Sequence, residues 1–211
     1  LLVVSLIFIS SLIGLSKMSY NASVIEDLRP GNSLYDDMKY VEEKLGGILS
    51  LEVIIDTKDE LSALEPVFMH KIEILKQSIL DIPEISTALS PSDYLILANE
   101  KWGSGHAELP NSIDEVLSLI LDFEEAQTLL NDDFSKTRIS CRIANIPYER
   151  GMEIRNSIIK NAFSALGEKV DIVVTGSTLM ALSTSRHLVK NLTTSFIIAF
   201  LQFYLSSFVR H

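Results

Sequence analysis

Cysteine and histidine are scarce in this sequence. Cys141 is the only cysteine, so the chain cannot form an internal disulfide. The histidines are His70, His106, His187 and His211. No two of them have the spacing of a metal-binding pair on a helix, and none lies near the cysteine in the sequence. We therefore expect neither a metal site nor a bound cofactor.

The chain also lacks any excess of basic residues. All 28 acidic residues and 15 of the 18 Lys and Arg residues lie in residues 19–187, which gives this segment a formal charge of −13. Proteins that bind nucleic acid depend on a basic surface. We therefore expect no nucleic-acid partner for this acidic segment.

Charge is entirely absent from the segment Leu192–Val209, in which Gln202 is the only strongly polar side chain. As a helix this segment would be about 27 Å long, close to the roughly 30 Å hydrocarbon core of a bilayer. A buried helix of a soluble protein is the alternative, but such helices rarely lack charge for so long. We therefore predict a transmembrane helix within residues 188–211. Because Leu192–Val209 contains no Asp, Glu, Lys, Arg or His, a proton path would lie elsewhere.

The chain also opens on an apolar run, Leu1–Leu15, which is too short to span a bilayer by itself. Since the first residue is Leu and not Met, we expect a fragment, with the C-terminal half of a first transmembrane helix in residues 1–18. A signal peptide is the alternative, but the run has neither a basic start nor a small-x-small cleavage site. Arg210 favours a cytoplasmic end for the second helix, which would leave residues 19–187 outside the cytoplasm.

Residues 19–187 contain two predicted strand–helix–strand units. Two such units in one small domain are typical of an α+β, ferredoxin-like split βαβ fold, with an antiparallel sheet and both helices on one face. The predicted elements are strands at Leu51–Asp56, Ile85–Leu89, Thr137–Ile143 and residues 170–174, with helices between Leu61 and Ile79 and from about Tyr148 to Leu166.

Further helices are predicted around these units. Ser33 and Asp36 form a capping-box pattern, and Gly46–Gly47 would end that helix. Residues 90–131 are interpreted as a helical insertion, in which Ser90 caps a short helix, residues 99–110 form a mobile loop, and Ser112 and Glu115 open another helix. From Thr178 no helix breaker occurs, so we predict one helix that continues from the domain into the bilayer.

No catalytic or substrate-binding residue can be assigned from the sequence, and we expect no enzyme. The adjacent carboxylates Glu124–Glu125 and Asp132–Asp133 diverge in direction, which favours a solvated surface over acid–base chemistry. Gly103-Ser104-Gly105 lacks the preceding strand and the Lys-Ser/Thr of a phosphate-binding loop. Cys141 alternates into the buried face of a strand, which favours a core position over a nucleophile.

The order of these pieces resembles the first external loop of resistance-nodulation-division (RND) exporters, in the MMPL/Patched-like branch. The resemblance covers essentially the whole chain and depends on order and spacing more than on any single motif. It is carried by Asp36-Asp37-Met38-Lys39-Tyr40-Val41-Glu42-Glu43-Lys44-Leu45-Gly46-Gly47 before the first strand, Leu89-Ser90-Pro91-Ser92-Asp93-Tyr94-Leu95, Thr137–Ile143, and Val174-Thr175-Gly176-Ser177-Thr178 leading to Ser195-Phe196.

The resemblance implies a fragment of an integral membrane transporter that exports hydrophobic or lipid-like substrates, driven by the proton motive force. The central domain would be an external porter domain, and its partners would be the bilayer, the substrate, the remaining membrane helices and a second porter domain of the same polypeptide. The family couples transport through acidic residues in the fourth membrane helix of a half, which this sequence does not contain.

A sensor domain between the two membrane helices of a receptor is the main alternative, and an anchored assembly module is a weaker one. A third membrane helix soon after His211 would favour the transporter. A soluble helical linker there would favour the receptor.

Overall fold

The computed structural model describes residues 31–47 and 49–209, except for the side chains of residue 45 and of residues 203–209. The helix predicted in residues 1–18 and His211 lie outside the described residues. The described part has a mixed α+β fold with one four-stranded antiparallel sheet. This confirms the prediction of an α+β fold with an antiparallel sheet.

The strands lie in the order β2-β3-β1-β4, so each strand–helix–strand unit is split by a strand of the other unit. The strands are β1 (Leu49–Asp56), β2 (Ile85–Leu89), β3 (Lys136–Ile143) and β4 (Asp171–Thr175). The helices are α1 (Ser33–Leu45), α2 (Pro66–Leu80), α3 (Pro91–Trp102), α4 (Ile113–Leu121), α5 (Glu124–Gln127), α6 (Tyr148–Leu166) and α7 (Ser177–Val209), with a short 3₁₀ turn at Ser62–Leu64.

The main core lies between one face of the sheet and the helices α2 and α6. Side chains alternate along a strand, so every second residue of β1 from Leu51 onwards is buried. Val53 pairs with Ile139 on one neighbouring strand and with Val174 on the other, which places three apolar side chains in a row. Burying each such side chain contributes about 1.5–3 kcal/mol. Ile72 of α2 and Ile158 of α6 are fully buried against this face.

A second, smaller core joins residues 91–127 to the rest of the domain. Leu95, Val116 and Ile120, from α3 and α4, pack with Leu64 and Met69. Met69 lies on α2, and other residues of α2 belong to the main core. The helix α2 is therefore shared by both cores and links the helical insertion to the sheet.

Two helix ends differ from the sequence-based predictions. Asn32, not Ser33, caps α1, because its Oδ1 accepts a hydrogen bond from the backbone N–H of Leu34 at 3.1 Å. The helix α3 extends to Trp102, four residues past its predicted end, so the loop predicted from residue 99 begins later. The predicted cap at Ser90 is confirmed: it forms a full capping box with Asp93.

The prediction of one uninterrupted helix after the last strand is confirmed, since α7 runs from Ser177 to Val209. Across the described part of the chain, no helix is long and apolar enough to cross a membrane. The predicted span Leu192–Val209 includes residues 203–209, whose side chains lie outside the described part.

The turn before α7 lies directly against the backbone of β1. Gly176 has φ +127°, and a Cβ added to it would lie 2.5 Å from the carbonyl oxygen of Ser50 and 2.9 Å from the Cα of Leu51. The Oγ1 of Thr178 donates a hydrogen bond to the same Ser50 carbonyl at 2.8 Å, and the hydroxyls of Ser50 and Ser177 lie 3.0 Å apart. We call this contact between the start of α7 and β1 the helix junction.

Replacing Gly176 with alanine should destabilise the protein because two effects combine. Backbone strain at this φ costs about 1–3 kcal/mol for a residue with a Cβ, and the clash with β1 adds about 1–3 kcal/mol more. The matched control is Gly167→Ala, which also has a positive φ, +87°, but would meet no atom within 4 Å. Urea unfolding should show a clearly larger loss of stability for Gly176→Ala, and equal losses in the two variants would contradict the close approach at the helix junction.

Candidate functional site

The structure does not bring the three described histidines together. His70 lies on α2, His106 in the loop after α3, and His187 on α7, and all three are exposed. Within the described residues, no group of three or more His, Cys, Asp and Glu side chains is placed to hold a metal ion.

Cys141 and Asp133 both have structural surroundings. Cys141 is 1% exposed in the main core, and burial, together with the charge of Glu52, raises the pKa of its thiol to about 12. The thiol is therefore neutral and shielded, unlike a reactive cysteine. Hydrogen bonds from Ser135 hold the pKa of Asp133 below its usual value. The Oδ1 of Asp133 also accepts a hydrogen bond from the side chain of Asn131, so this carboxylate organises the turn that leads into β3.

The segment Gly103-Ser104-Gly105 wraps around the buried side chain of Asn99. The amide Oδ1 of Asn99 accepts from the backbone N–H of Ser104 at 2.9 Å, and its Nδ2 donates to the carbonyl of Glu108 at 2.8 Å. The backbone N–H groups of Gly103 and Gly105 donate to the carbonyl of Asn99. These amides are already used within the loop, so they do not form a phosphate-binding cradle.

Beside this loop lies a cavity of about 530 Å³ between the end of α3 and the start of α4. That volume is within the range of small-molecule sites. The exposed indole of Trp102 forms part of the wall and packs against Phe123, with ring centroids 5.4 Å apart. The cavity is also lined by Asn99, Gly103, Ser104, Glu108, Pro110, Asn111, Asp114, Glu115, Ser118 and Leu119.

A buried charge network joins this helical insertion to α2. The ammonium of Lys76, on α2, forms ion pairs with Asp93 of α3 and with Glu73 at 2.7 Å, and the Lys76 side chain is only 5% exposed. The Oγ of Ser92 donates to Glu73 at 2.6 Å, and the hydroxyls of Ser90 and Ser92 lie 2.6 Å apart. Every member of this Lys76 network has a hydrogen-bond partner, as buried polar groups require.

The network favours the ionised forms of Lys76 and Glu73 in spite of their burial. Burial lowers the pKa of Lys76, but hydrogen bonds from its ammonium to Asp93 and Glu73 more than offset this, and its pKa is raised. Burial likewise raises the pKa of Glu73, but hydrogen bonds from Lys76, Ser92 and Gln77 leave it lowered. Removing one partner of such a buried ion pair leaves the other as an unpaired buried charge, which strongly lowers the stability of the fold.

Neither the Lys76 network nor the cavity was predicted from the sequence. A signal for the network was present, because Lys76 lies four residues after Ile72 and therefore on the apolar face of α2. A charged residue on a buried face requires a partner. The cavity gave no local signal, because its walls come from two helices and the loop between them.

The sequence was compared with known protein families and with curated proteins. No family model matches it, and no curated protein matches it. The function is therefore inferred from the residues of the chain and their geometry.

Replacing Lys76 with methionine should destabilise the protein by about 2 kcal/mol, because Glu73 and Asp93 lose their shared cation while remaining partly buried. The matched control is Lys39→Met, which removes an exposed lysine whose ammonium lies 3.9 Å from Glu43. Such surface pairs contribute at most about 1 kcal/mol. Chemical denaturation of both variants measures the difference. If Lys76→Met is no less stable than Lys39→Met, the network does not hold the insertion to α2.

Proposed function

We propose that this chain is part of an RND-type membrane transporter of the MMPL/Patched-like branch. Residues 19–187 would be a ferredoxin-like porter domain outside the cytoplasm, and residues 188–211, into which α7 continues, would be the second membrane helix. The transporter would export hydrophobic or lipid-like molecules, driven by the proton motive force. The remaining membrane helices and a second porter domain of the same polypeptide would complete it.

The observation that carries this proposal is the apolar surface of α7 beyond the domain. Leu188, Leu192 and Phe196 are 58%, 69% and 46% exposed. Ile198 and Leu201 are 58% and 53% exposed. Residues two apart lie on opposite sides of a helix, so Phe196 and Ile198 expose apolar surface in opposite directions. Exposed apolar side chains on opposite sides of a helix favour a membrane or protein environment over water, and the described domain does not cover these residues.

The attachment of α7 supports a mechanical role. Its first turns are part of the domain: Leu179 and Leu182 are buried, and a Cβ on Gly151 of α6 would lie 2.8 Å from the Cδ1 of Leu182. The guanidinium of Arg186 lies over the ring of Tyr148, 4.5 Å from its centroid. Together with the helix junction, these contacts fix α7 to both layers of the fold. A movement of its membrane end would therefore be transmitted to the sheet.

A receptor with an external sensor domain remains the second candidate, because the rigid link from domain to membrane helix serves a sensor equally well. The two functions require different segments after residue 211. The transporter requires further membrane helices and a second copy of this loop, whereas the receptor requires a cytoplasmic signalling module.

Inserting two glycines after Lys190 in the complete polypeptide should abolish transport. Two added residues rotate the rest of the helix by about 200° relative to the domain, and each glycine weakens the helix by about 1 kcal/mol. The domain itself should stay folded, since the insertion lies beyond the contacts of α7 with α6 and β1. Efflux of a lipophilic dye such as Nile red from cells measures transport, and circular dichroism measures folding.

The matched control inserts two glycines after Glu168, in the exposed turn between α6 and β4. This control lengthens a loop and leaves α7 unbroken, so efflux should persist. Unchanged efflux after the insertion at Lys190 would count against the mechanical role of α7.

A further inference from the structure

The cavity beside Trp102 carries uncompensated negative charge. Glu108, Asp114 and Glu115 line it, whereas Lys, Arg and His are absent from the described lining. None of these carboxylates takes part in an ion pair between described residues. Of the three carboxylates, only that of Glu115 forms a hydrogen bond with a described residue: its Oε2 accepts from the backbone N–H of Asn111. A concave surface with charge of one sign concentrates ligands of the opposite sign.

The cavity also presents an aromatic ring suited to a cation. The Trp102 side chain is 63% exposed, and indole is the strongest aromatic partner for a cation. The ammonium of the neighbouring Lys101 already lies 6.0 Å from the ring centroid, at the outer limit of a cation–π contact. The ring is therefore open to a cation, and Lys101 is a weak competitor for it.

Size and apolar lining narrow the ligand class. A volume of about 530 Å³ exceeds that of a bare metal ion and lies in the range of small organic ligands. Leu119 and Pro110 supply apolar surface next to the carboxylates. We propose that this cavity binds a small organic cation with apolar substituents, such as a quaternary ammonium compound, between the Trp102 ring and the carboxylates. This proposal does not rest on the proposed transport function.

The binding site can be located through Trp102, because it is the only tryptophan in the chain. Benzyltrimethylammonium is titrated into the ¹⁵N-labelled 211-residue chain in a neutral detergent. The single indole N–H signal should shift and saturate, and calorimetry should give the same affinity. If calorimetry shows no binding and the indole signal does not move, the proposal is overturned.

Charge is tested with a matched pair of ligands. Choline should bind more tightly than 3,3-dimethylbutan-1-ol, which has the same shape without the charge. Equal affinities for the two would show that the cavity does not select a cation, and would overturn the proposal.

Variants of the residues at the cavity test how much each one contributes to cation binding. Trp102→Leu should weaken benzyltrimethylammonium binding about two- to fivefold, and Asp114→Asn should weaken it to a similar extent. Lys101→Gln should strengthen binding, because it removes the competing ammonium. The matched control is Glu124→Gln, an exposed carboxylate outside the cavity that makes the same change in net charge. Equal weakening by Asp114→Asn and Glu124→Gln would show only general attraction to an acidic protein and would overturn the proposed site.

Discussion

The close approach of Gly176 to the backbone of β1 determines how α7 leaves the domain. Only a residue without a Cβ fits at this point, because the Ser50 carbonyl oxygen lies only 2.5 Å from the position that a Cβ would take. The hydroxyls of Ser177 and Thr178 then bond to Ser50, so the first turn of α7 is tied to a central strand of the sheet. The direction of the long helix is thus set by the strand and not by a flexible linker. The proposed transfer of movement between membrane and domain depends on this contact.

The helical insertion is attached by a different kind of interaction. Its apolar side chains share α2 with the main core, and Lys76 links α2 to Asp93 at the start of α3. Apolar packing is not directional, whereas a buried ammonium between two carboxylates fixes one arrangement of the two helices. The insertion therefore holds its position on the domain. The cavity beside Trp102 lies on the insertion, away from the sheet, so a ligand could bind there without disturbing the main core.

The sequence predicted the regular elements well where one local pattern dominated. The helix Tyr148–Leu166 has the predicted bounds, because its apolar residues recur at helical spacing and Gly167 ends it. The strand at Ile85–Leu89 also has the predicted bounds, although its buried residues do not alternate, because its pairing with β3 is irregular between Ile85 and Thr87. At the start of α1, Asn32 and Ser33 are both favourable caps, and only the geometry decides which side chain reaches a free amide. Asp93, the partner of Lys76 on the helical insertion, is 17 residues away in the sequence, so this link of the network follows from tertiary packing. The same holds for the cavity, whose loop is organised by the buried amide of Asn99.

The proposed function requires that α7 is part of the domain at its start and lies in lipid further along. Nitroxide labels at Met180→Cys and Ile198→Cys, each in a Cys141→Ala background and in lipid nanodiscs, test this claim most directly. Both native side chains are exposed, at 67% and 58%. The account predicts that the label at position 180 is accessible to a water-soluble nickel reagent, whereas the label at position 198 is accessible to oxygen and protected from nickel. Nickel accessibility at both positions would contradict it.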